Sequence, residues 1–284
     1  MQIFYFFGKC ITEGAIHELK NWEFAKKAAV LIEIQSPAPV LNIPDFTFAF
    51  GGKTGSEIPL DEKGHPYCFE FVALKGMVFE VSESIPQKFG EIYRISCPSY
   101  CKEPLYIDSR FTKQATTPTV KRPLPPHNII LNRMIEMTGS PYVWGGNWKA
   151  GIPEMLLYYP AKKPIEDRTS ILWTLNGVDC SGLLFEATDG ATPRNTSQLI
   201  HFGEEVPLDS SLLPLDMILY PGHVVFIKDE KTTIESKFPF GVIQRDLTTR
   251  LMEFESTRKR VETWTPELDP HQFYTVRRLP KMLY

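Results

Sequence analysis

The sequence predicts an α+β fold in two parts, a small antiparallel β-barrel followed by a mixed α and β domain. Short β-branched and aromatic runs separated by Gly/Pro turns fill the first part. Four prolines then interrupt the chain at 113–126, and mixed helical and strand-like spacing follows. A length of 284 residues with 43% apolar content suits about two domains. We expect a domain at 1–112, a linker at 113–126 and a second domain at 127–284.

The elements of the first part follow from local composition. Apolar residues recur at helical intervals over 13–29, which predicts one helix before the barrel. The predicted strands are 30–34, 46–50, 67–74, 77–81 and 91–95.

Charge and cysteine content limit the partners and the compartment. The 31 Lys and Arg residues against 34 Asp and Glu give a net charge of −3, so nucleic acid is not an expected partner. The apolar run at 3–7 is too short for a signal peptide or a membrane span, and an odd set of five cysteines is typical of reduced thiols. We therefore expect a cytoplasmic protein. Cys97 and Cys101 lack a second ligand pair, so no metal or other cofactor is expected.

One cysteine lies at a position that favours a reactive thiol. Asp179 or Ser181 can cap a helix whose apolar positions begin at Leu183, which puts Cys180 at the helix N-terminus. Exposed N–H groups and the helix dipole lower a thiol pKa there. The alternative is a buried cysteine that acts as a small apolar residue.

A histidine and a carboxylate are predicted to meet on one sheet face. His223 opens a strand-like run after a Pro-Gly turn, and a second run follows at 232–236. A hairpin centred on Asp229 pairs residues whose numbers sum to 458, which places Glu235 opposite His223. A carboxylate there would orient the imidazole and stabilise its charge. The alternative is a polar cross-strand ladder at the surface.

Five motifs in order carry a resemblance to a known family. They are 141–146 (PYVWGG), 179–182 (DCSG), 192–198 (TPRNTSQ), 213–218 (LPLDMI) and 222–224 (GHV). Over most of 127–245 the chain resembles the NlpC-type cell-wall cysteine peptidases. The resemblance implies a reduced papain-like fold and hydrolysis of γ-D-glutamyl–diamino acid bonds in peptidoglycan peptides.

The resemblance also implies residue roles. Cys180 is the expected nucleophile and His223 the expected base, with Glu235 at a third position where the family often has His. Tyr142 is expected at the rim of the site, although a packed core aromatic is the alternative. Arg194 is expected to pair either with a substrate carboxylate or within the scaffold.

The first part resembles the bacterial SH3-like domains joined to cytosolic NlpC-type enzymes of the YkfC kind. In those relatives the barrel closes one end of the cleft, and a free N-terminal L-Ala amine is recognised. Asp179 and Ser181 match the positions that flank the nucleophile there, and either Tyr93 or Tyr100 would complete the pocket. The resemblance implies peptidoglycan-derived peptides as partners and a role in muropeptide recycling or cell-wall turnover.

One segment departs from the family. The connection at 147–178 is longer than expected and predicts a lid or an altered substrate pocket. Two other functions stay open: a thiol amidase or acyltransferase on another amide, and a catalytically silent cell-wall-binding protein. The oligomeric state does not follow from the sequence.

Overall fold

The computed structural model describes residues 4–6, 9–11, 30–118 and 121–281. The helix predicted over 13–29 lies outside these residues. Within them, no helix has the length and apolar character needed to cross a membrane.

The first part of the chain forms an antiparallel sheet of seven strands. A separate two-stranded hairpin, β1 (Phe4–Phe6) and β2 (Lys9–Ile11), precedes it. The strands are β3 (Val30–Ile34), β4 (Ala38–Leu41), β5 (Phe69–Ala73), β6 (Val78–Gln87), β7 (Gly90–Ser96), β8 (Leu105–Asp108) and β9 (Thr112–Ala115). Their order is β5-β4-β8-β7-β6-β3-β9, and the two end strands do not pair within the described chain. Four of the five predicted strands, 30–34, 67–74, 77–81 and 91–95, correspond to β3, β5, β6 and β7, whereas the closed barrel is not confirmed.

One predicted strand is wrong. Residues 46–50 were expected to be extended, but Phe46–Ala49 forms a short helix, α1. The Asp45 carboxylate accepts the Phe48 N–H at 2.9 Å and caps the helix. Because Phe46, Ala49 and Phe50 are buried at helical spacing, the cap and the packing outweigh the strand propensity of the phenylalanines.

The Pro-rich segment joins the two parts. Strand β9 pairs with β3 at one edge of the first sheet, so this sheet continues to Ala115, inside the expected linker. The described residues between Ala115 and His127 contain no helix or strand. The next helix, α2 (His127–Glu136), begins directly after Pro126.

The second part is a helix packed on another antiparallel sheet. Its strands are β12 (Glu204–Glu205), β13 (Asp216–Tyr220), β14 (His223–Ile227), β15 (Thr232–Lys237), β16 (Gly241–Asp246), β17 (Lys259–Val261) and β18 (Phe273–Arg278). The order is β12-β18-β13-β14-β15-β16, with β17 parallel to β18. Leu183 and Leu184 are fully buried in the core beneath this sheet, with Phe226 and Ile234 of its strands.

Short elements connect the two sheets. They are β10 (Asn147–Trp148), α3 (Glu154–Tyr158), α4 (Asp167–Trp173), β11 (Gly177–Val178), α5 (Cys180–Ala187) and α6 (Thr196–Leu199). The last helix, α7 (Leu247–Glu255), lies between β16 and β17 of the second sheet. Helices α3 and α4 belong to the long connection at 147–178. Their buried residues Met155 and Trp173 lie in the core of the first sheet. The connection therefore packs mainly against the first part of the chain.

Candidate functional site

Helix α5 presents Cys180 at its first turn. The side chain of Asp179 caps the helix and accepts the Gly182 N–H at 2.7 Å. A Cβ at position 182 would collide with the carbonyl oxygen of Gly146, so glycine lets the helix start rest directly on the turn that carries Gly145 and Gly146. The predicted position of Cys180 at the helix N-terminus is confirmed.

The protonation of Cys180 differs from the sequence prediction. Only 7% of the residue is exposed, and burial, followed by the charge of Asp179, raises the thiol pKa to about 12. The Val224 N–H, the Arg194 charge and the Ser181 N–H oppose this rise but do not overcome it. The predicted lowering of the thiol pKa is therefore wrong, because burial outweighs the helix N-terminus. A thiol with this pKa is protonated at pH 7.

His223 and Glu235 form the predicted pair. Nε2 of His223 lies 2.6 Å from Oε2 of Glu235, and Glu235 is fully buried. Because the Val224 backbone interacts with the Cys180 thiol, the start of β14 lies against the start of α5. Since Nε2 is committed to the carboxylate, Nδ1 is the imidazole nitrogen left for the thiol.

The hairpin register differs slightly from the prediction. Phe226 pairs with Ile234 and Ile227 with Thr233, so paired numbers sum to 460 rather than 458. Glu235 therefore does not lie directly opposite His223. Both side chains still share one sheet face, because a shift of two in the sum preserves the alternation of faces. The contact forms diagonally across the sheet.

An arginine that the sequence did not suggest completes this pair. Nε of Arg250, on α7, lies 2.8 Å from Oε1 of Glu235. Burial alone would raise the pKa of Glu235, but the hydrogen bond and charge of His223 and the charge of Arg250 lower it. Arg250 therefore helps to keep the buried carboxylate ionised. It is 15 positions from Glu235 on another element, and no local pattern in the sequence marks it.

A second buried ion pair holds the helix start. Arg194 donates from Nη2 to Oδ2 of Asp179 at 2.6 Å and from Nη1 to Oγ of Ser181 at 2.8 Å. Oδ2 of Asp179 also accepts the Gly145 N–H at 2.9 Å. Of the two predicted roles for Arg194, the scaffold ion pair is present. The contacts of Asp179 and Ser181 lie within the scaffold, so their direct binding of a substrate amine stays a prediction.

Two tyrosines lie beside the helix start. Burial, followed by the charges of Asp179 and Cys180, raises the pKa of Tyr142. Burial likewise raises the pKa of Tyr100, whose hydroxyl feels the charges of Glu70, Arg194 and Asp179. Both phenols are therefore neutral, and the charge of Cys180 acts on Tyr142 alone of the two.

Of the two candidate tyrosines, Tyr93 and Tyr100, Tyr100 is the one near the helix start, where the charges of Asp179 and Arg194 act on it. The Tyr100 hydroxyl donates to Oε2 of Glu70 at 2.8 Å, whereas the Tyr93 hydroxyl donates to Glu91. Oε1 of Glu70 accepts from Nδ2 of Asn42 at 2.8 Å. Within the described chain Glu70 has hydrogen-bond donors but no cationic partner. It is a half-buried anion next to the helix start, and sequence reasoning missed it.

The chain offers no candidate metal centre in its described part. No group of three His, Cys, Asp or Glu side chains there is arranged to hold a metal ion. Cys97 and Cys101 both carry thiols whose pKa burial raises.

Comparisons with known proteins give structural neighbours only. No family model matches the chain, and no curated protein matches it. The chain is similar to an NlpC/P60 family protein from Bacillus cereus at 16% identity and a TM-score of 0.36, covering 92% of this chain and 67% of that one. It is similar to the peptidoglycan hydrolase RipB from Mycobacterium tuberculosis at 20% identity and a TM-score of 0.34, covering 54% and 64%.

A third neighbour is described as lacking catalysis. RipD from Mycobacterium tuberculosis, a non-catalytic NlpC/p60 domain protein adapted to peptidoglycan binding, is 20% identical at a TM-score of 0.32, covering 43% of this chain and 87% of that one. The structural neighbours of the chain are thus NlpC/P60 proteins.

Proposed function

We propose that this protein is a cysteine peptidase that hydrolyses the γ-D-glutamyl–diamino acid bond of peptidoglycan-derived peptides with a free N-terminal L-Ala. The observation that carries the proposal is the 2.6 Å pair of His223 and Glu235 on the strand next to Cys180. A half-buried imidazole oriented by a fully buried carboxylate, beside a thiol at a helix start, is the geometry of nucleophilic amide cleavage.

The reaction begins from a neutral thiol. As the Cys180 sulfur attacks the γ-carbonyl of D-Glu, its proton passes to Nδ1 of His223, and Glu235 stabilises the resulting imidazolium. The imidazolium then protonates the departing amine, which leaves a thioester on Cys180. Water, deprotonated by His223, releases L-Ala-γ-D-Glu.

The developing oxyanion needs donors near the sulfur. The first N–H groups of a helix have no intrahelical partner, so the Cys180 N–H at the start of α5 suits this role. The neutral Tyr142 hydroxyl is a second donor, since its pKa is raised. Both donors belong to the proposal.

Glu70 and Tyr100 support recognition of a free amine. An ammonium group is the partner that the half-buried Glu70 carboxylate lacks among the described residues. We propose that this carboxylate binds the L-Ala amine and that Asp179 and Ser181 shape the pocket from the scaffold. The first sheet, interpreted as a variant of the SH3-like domain, then closes this end of the cleft.

A substrate comparison tests this function. Purified protein is incubated with L-Ala-γ-D-Glu-meso-diaminopimelate, free or acetylated at the amine, and products are followed by mass spectrometry. We expect cleavage of the free peptide, at least 100-fold slower cleavage of the acetylated one, and a comparable loss in Glu70→Gln. Glu91→Gln, a carboxylate bound to Tyr93, is the matched control. Equal cleavage of the free and the acetylated peptide would show that the protein does not recognise the free amine.

Specificity for trimmed peptides implies a place of action. An intact glycan strand carries no free L-Ala amine, so we propose that the protein acts in the cytoplasm during muropeptide recycling. Fractionation of cells that produce the full chain tests this. Recovery of the protein from the culture medium or the cell wall would overturn it.

The burial of Cys180 favours a second candidate, a catalytically silent peptidoglycan-binding protein. A thiol with a pKa of about 12 and 7% exposure is also what an inert core cysteine shows. Tight binding of the free peptide without cleavage in wild type, unchanged in Cys180→Ala, would support this candidate over the peptidase.

A further inference from the structure

A cavity of about 230 Å³ has Tyr142 among its lining residues. Its lining includes His65, Tyr142 and Trp144, which lie on the turn at 64–66 and the segment at 141–144. Arg168 of α4 and Phe238 of the β15–β16 connection line it as well. The cavity is the size of one side chain or peptide end rather than of a whole ligand.

Aromatic rings form the walls of this cavity. The His65 ring stacks on Trp144 with centroids 4.5 Å apart and an interplanar angle of 12°. Phe238 meets His65 edge-on at 5.7 Å and Tyr142 at 5.9 Å. Trp144 and Phe238 nevertheless stay 43% and 40% exposed. The walls are therefore preformed, and they leave apolar surface open for a ligand.

Among the described residues that line the cavity, Arg168 is the one cation without an ion pair. The Arg168 guanidinium lies 5.8 Å from the Phe238 ring and forms no ion pair with any carboxylate of the described chain. The Asp61 carboxylate lies beside His65 and accepts the backbone N–H groups of Lys63 and His65. Burial lowers the pKa of His65, so its ring is neutral at pH 7.

We propose that this cavity binds a carboxylate of the peptide substrate, with the Arg168 guanidinium as its partner and the aromatic rings against the adjoining carbon chain. A planar guanidinium on an aromatic face binds carboxylates in a fixed, bidentate geometry. Tyr142 lines the cavity, and the charge of Cys180 acts on its hydroxyl, so a molecule at the thiol is close enough to place a group in the cavity. This inference rests on the proposed peptidase function.

The proposal gives the long connection a role in specificity. Arg168 lies on α4 within 147–178, and the same helix buries Trp173 in the core of the first sheet. The packing of α4 therefore holds Arg168 at the cavity. Two carboxylate sources fit the chemistry, the α-carboxylate of D-Glu and the carboxylates of the diamino acid.

Calorimetric titration of the Cys180→Ala protein distinguishes these sources. The ligands are L-Ala-γ-D-Glu-meso-diaminopimelate, the same peptide amidated at the D-Glu α-carboxyl, and the same peptide amidated at both diaminopimelate carboxyls. We expect one of the two amidated peptides to bind with a Kd about 10- to 100-fold higher than that of the unmodified peptide. Arg168→Gln should raise the Kd of the unmodified peptide by the same factor. The amidation that weakens binding when Arg168 is present should cause no further rise in Kd in the Arg168→Gln variant.

Arg94→Gln is the matched control, because Arg94 forms an exposed ion pair with Glu83 in the first sheet region. Its Kd values should equal those of the parent protein. If Arg168→Gln leaves Kd and KM unchanged while wild type cleaves the peptide, the cavity proposal is wrong and the peptidase function stands. If no peptide binds and wild type cleaves none, both proposals fall.

Discussion

At the scale of single residues, the charge of Glu235 is the most consequential feature of the site. Its carboxylate is fully buried, yet it is held ionised by His223 and Arg250. A buried ion pair adds little net stability, but removing one partner leaves an uncompensated charge. The network therefore links the stability of the fold to the orientation of the proposed base.

Arg250→Gln should lower both stability and activity. We expect a loss of about 3 kcal/mol in the free energy of unfolding, because the buried Glu235 loses the guanidinium that lies 2.8 Å from its Oε1. The kcat should fall more than 10-fold and its pH profile should shift, while KM changes little. Chemical denaturation and steady-state kinetics measure these effects. Arg245→Gln is the matched control, because Nη1 of Arg245 lies 3.9 Å from Oε1 of Glu235, and it should lower the free energy of unfolding by about 1 kcal/mol or less. Equal losses of stability in the two variants would contradict this role of Arg250.

Glu235 also predicts a pH dependence of stability. The pKa of Glu235 is lower in the folded state than its value near 4.5 in the unfolded state, so the ionised carboxylate stabilises the fold. This stabilisation is fully present above pH 4.5 and is lost as the pH falls through the folded-state pKa. Unfolding midpoints measured from pH 6 to pH 2 should therefore fall more steeply in wild type than in Glu235→Gln. Parallel curves for the two proteins would contradict the lowered pKa.

The thiol of Cys180 predicts an alkylation profile. With a pKa of about 12, its thiolate fraction should rise throughout the range from pH 7 to pH 10. Reaction with iodoacetamide, followed at each cysteine by mass spectrometry, should therefore accelerate about 10-fold per pH unit at Cys180. A plateau below pH 7 would instead indicate a stable thiolate–imidazolium pair in the free protein.

At the scale of elements, the start of α5 depends on the absence of a side chain at Gly182. A Cβ there would meet backbone, which cannot move aside as a flexible side chain can. Gly182→Ala should therefore cost more than about 3 kcal/mol in unfolding free energy and abolish activity. Gly139→Ala, where a Cβ has no neighbour within 4 Å but φ is +86°, should cost only about 1–2 kcal/mol. Similar costs in denaturant titrations would show that crowding at position 182 is relieved by local movement.

The helix start and the shared face of His223 and Glu235 were predictable because both depend on local rules. Asp179 marks a cap, and alternation along two strands puts odd-numbered residues on one face. The register was not predictable, since it depends on the turn geometry between the strands. The helix at Phe46–Ala49 was missed because the Asp45 cap and burial act against the composition.

The remaining errors come from tertiary structure. The thiol pKa depends on how much of Cys180 the surrounding chain covers, which no local pattern reports. Arg250 and Glu70 reach the site from distant parts of the chain. Nothing in their own neighbourhoods distinguishes them from solvated charges.

At the scale of the whole molecule, the connection at 147–178 acts as a packing bridge. Tyr159 stacks on Phe46 with centroids 5.7 Å apart, and its hydroxyl donates to the buried Asp108 at 2.6 Å. Nε1 of Trp173 donates to the Tyr159 carbonyl at 2.9 Å. These contacts fix the connection against the first sheet, a geometry that favours a rigid wall over a moving lid.

Tyr159→Phe tests this bridge. Loss of the hydroxyl should cost about 1–2 kcal/mol of unfolding free energy, because the buried Asp108 carboxylate loses a donor. Peptide hydrolysis should keep its wild-type rate, since these contacts lie away from Cys180. Tyr158→Phe is the matched control and should be neutral, because the Tyr158 hydroxyl makes no hydrogen bond within the described chain. A large change in kcat without a loss of stability would indicate a lid.

The most direct test of the peptidase assignment is the kcat/KM of three proteins on L-Ala-γ-D-Glu-meso-diaminopimelate: wild type, Cys180→Ala and His223→Ala. We predict release of L-Ala-γ-D-Glu by wild type and a loss of at least 1,000-fold in each variant, with peptide binding to Cys180→Ala retained. Hydrolysis that survives in Cys180→Ala, or no hydrolysis by wild type while the peptide still binds, would contradict Cys180 as the nucleophile of a peptidase.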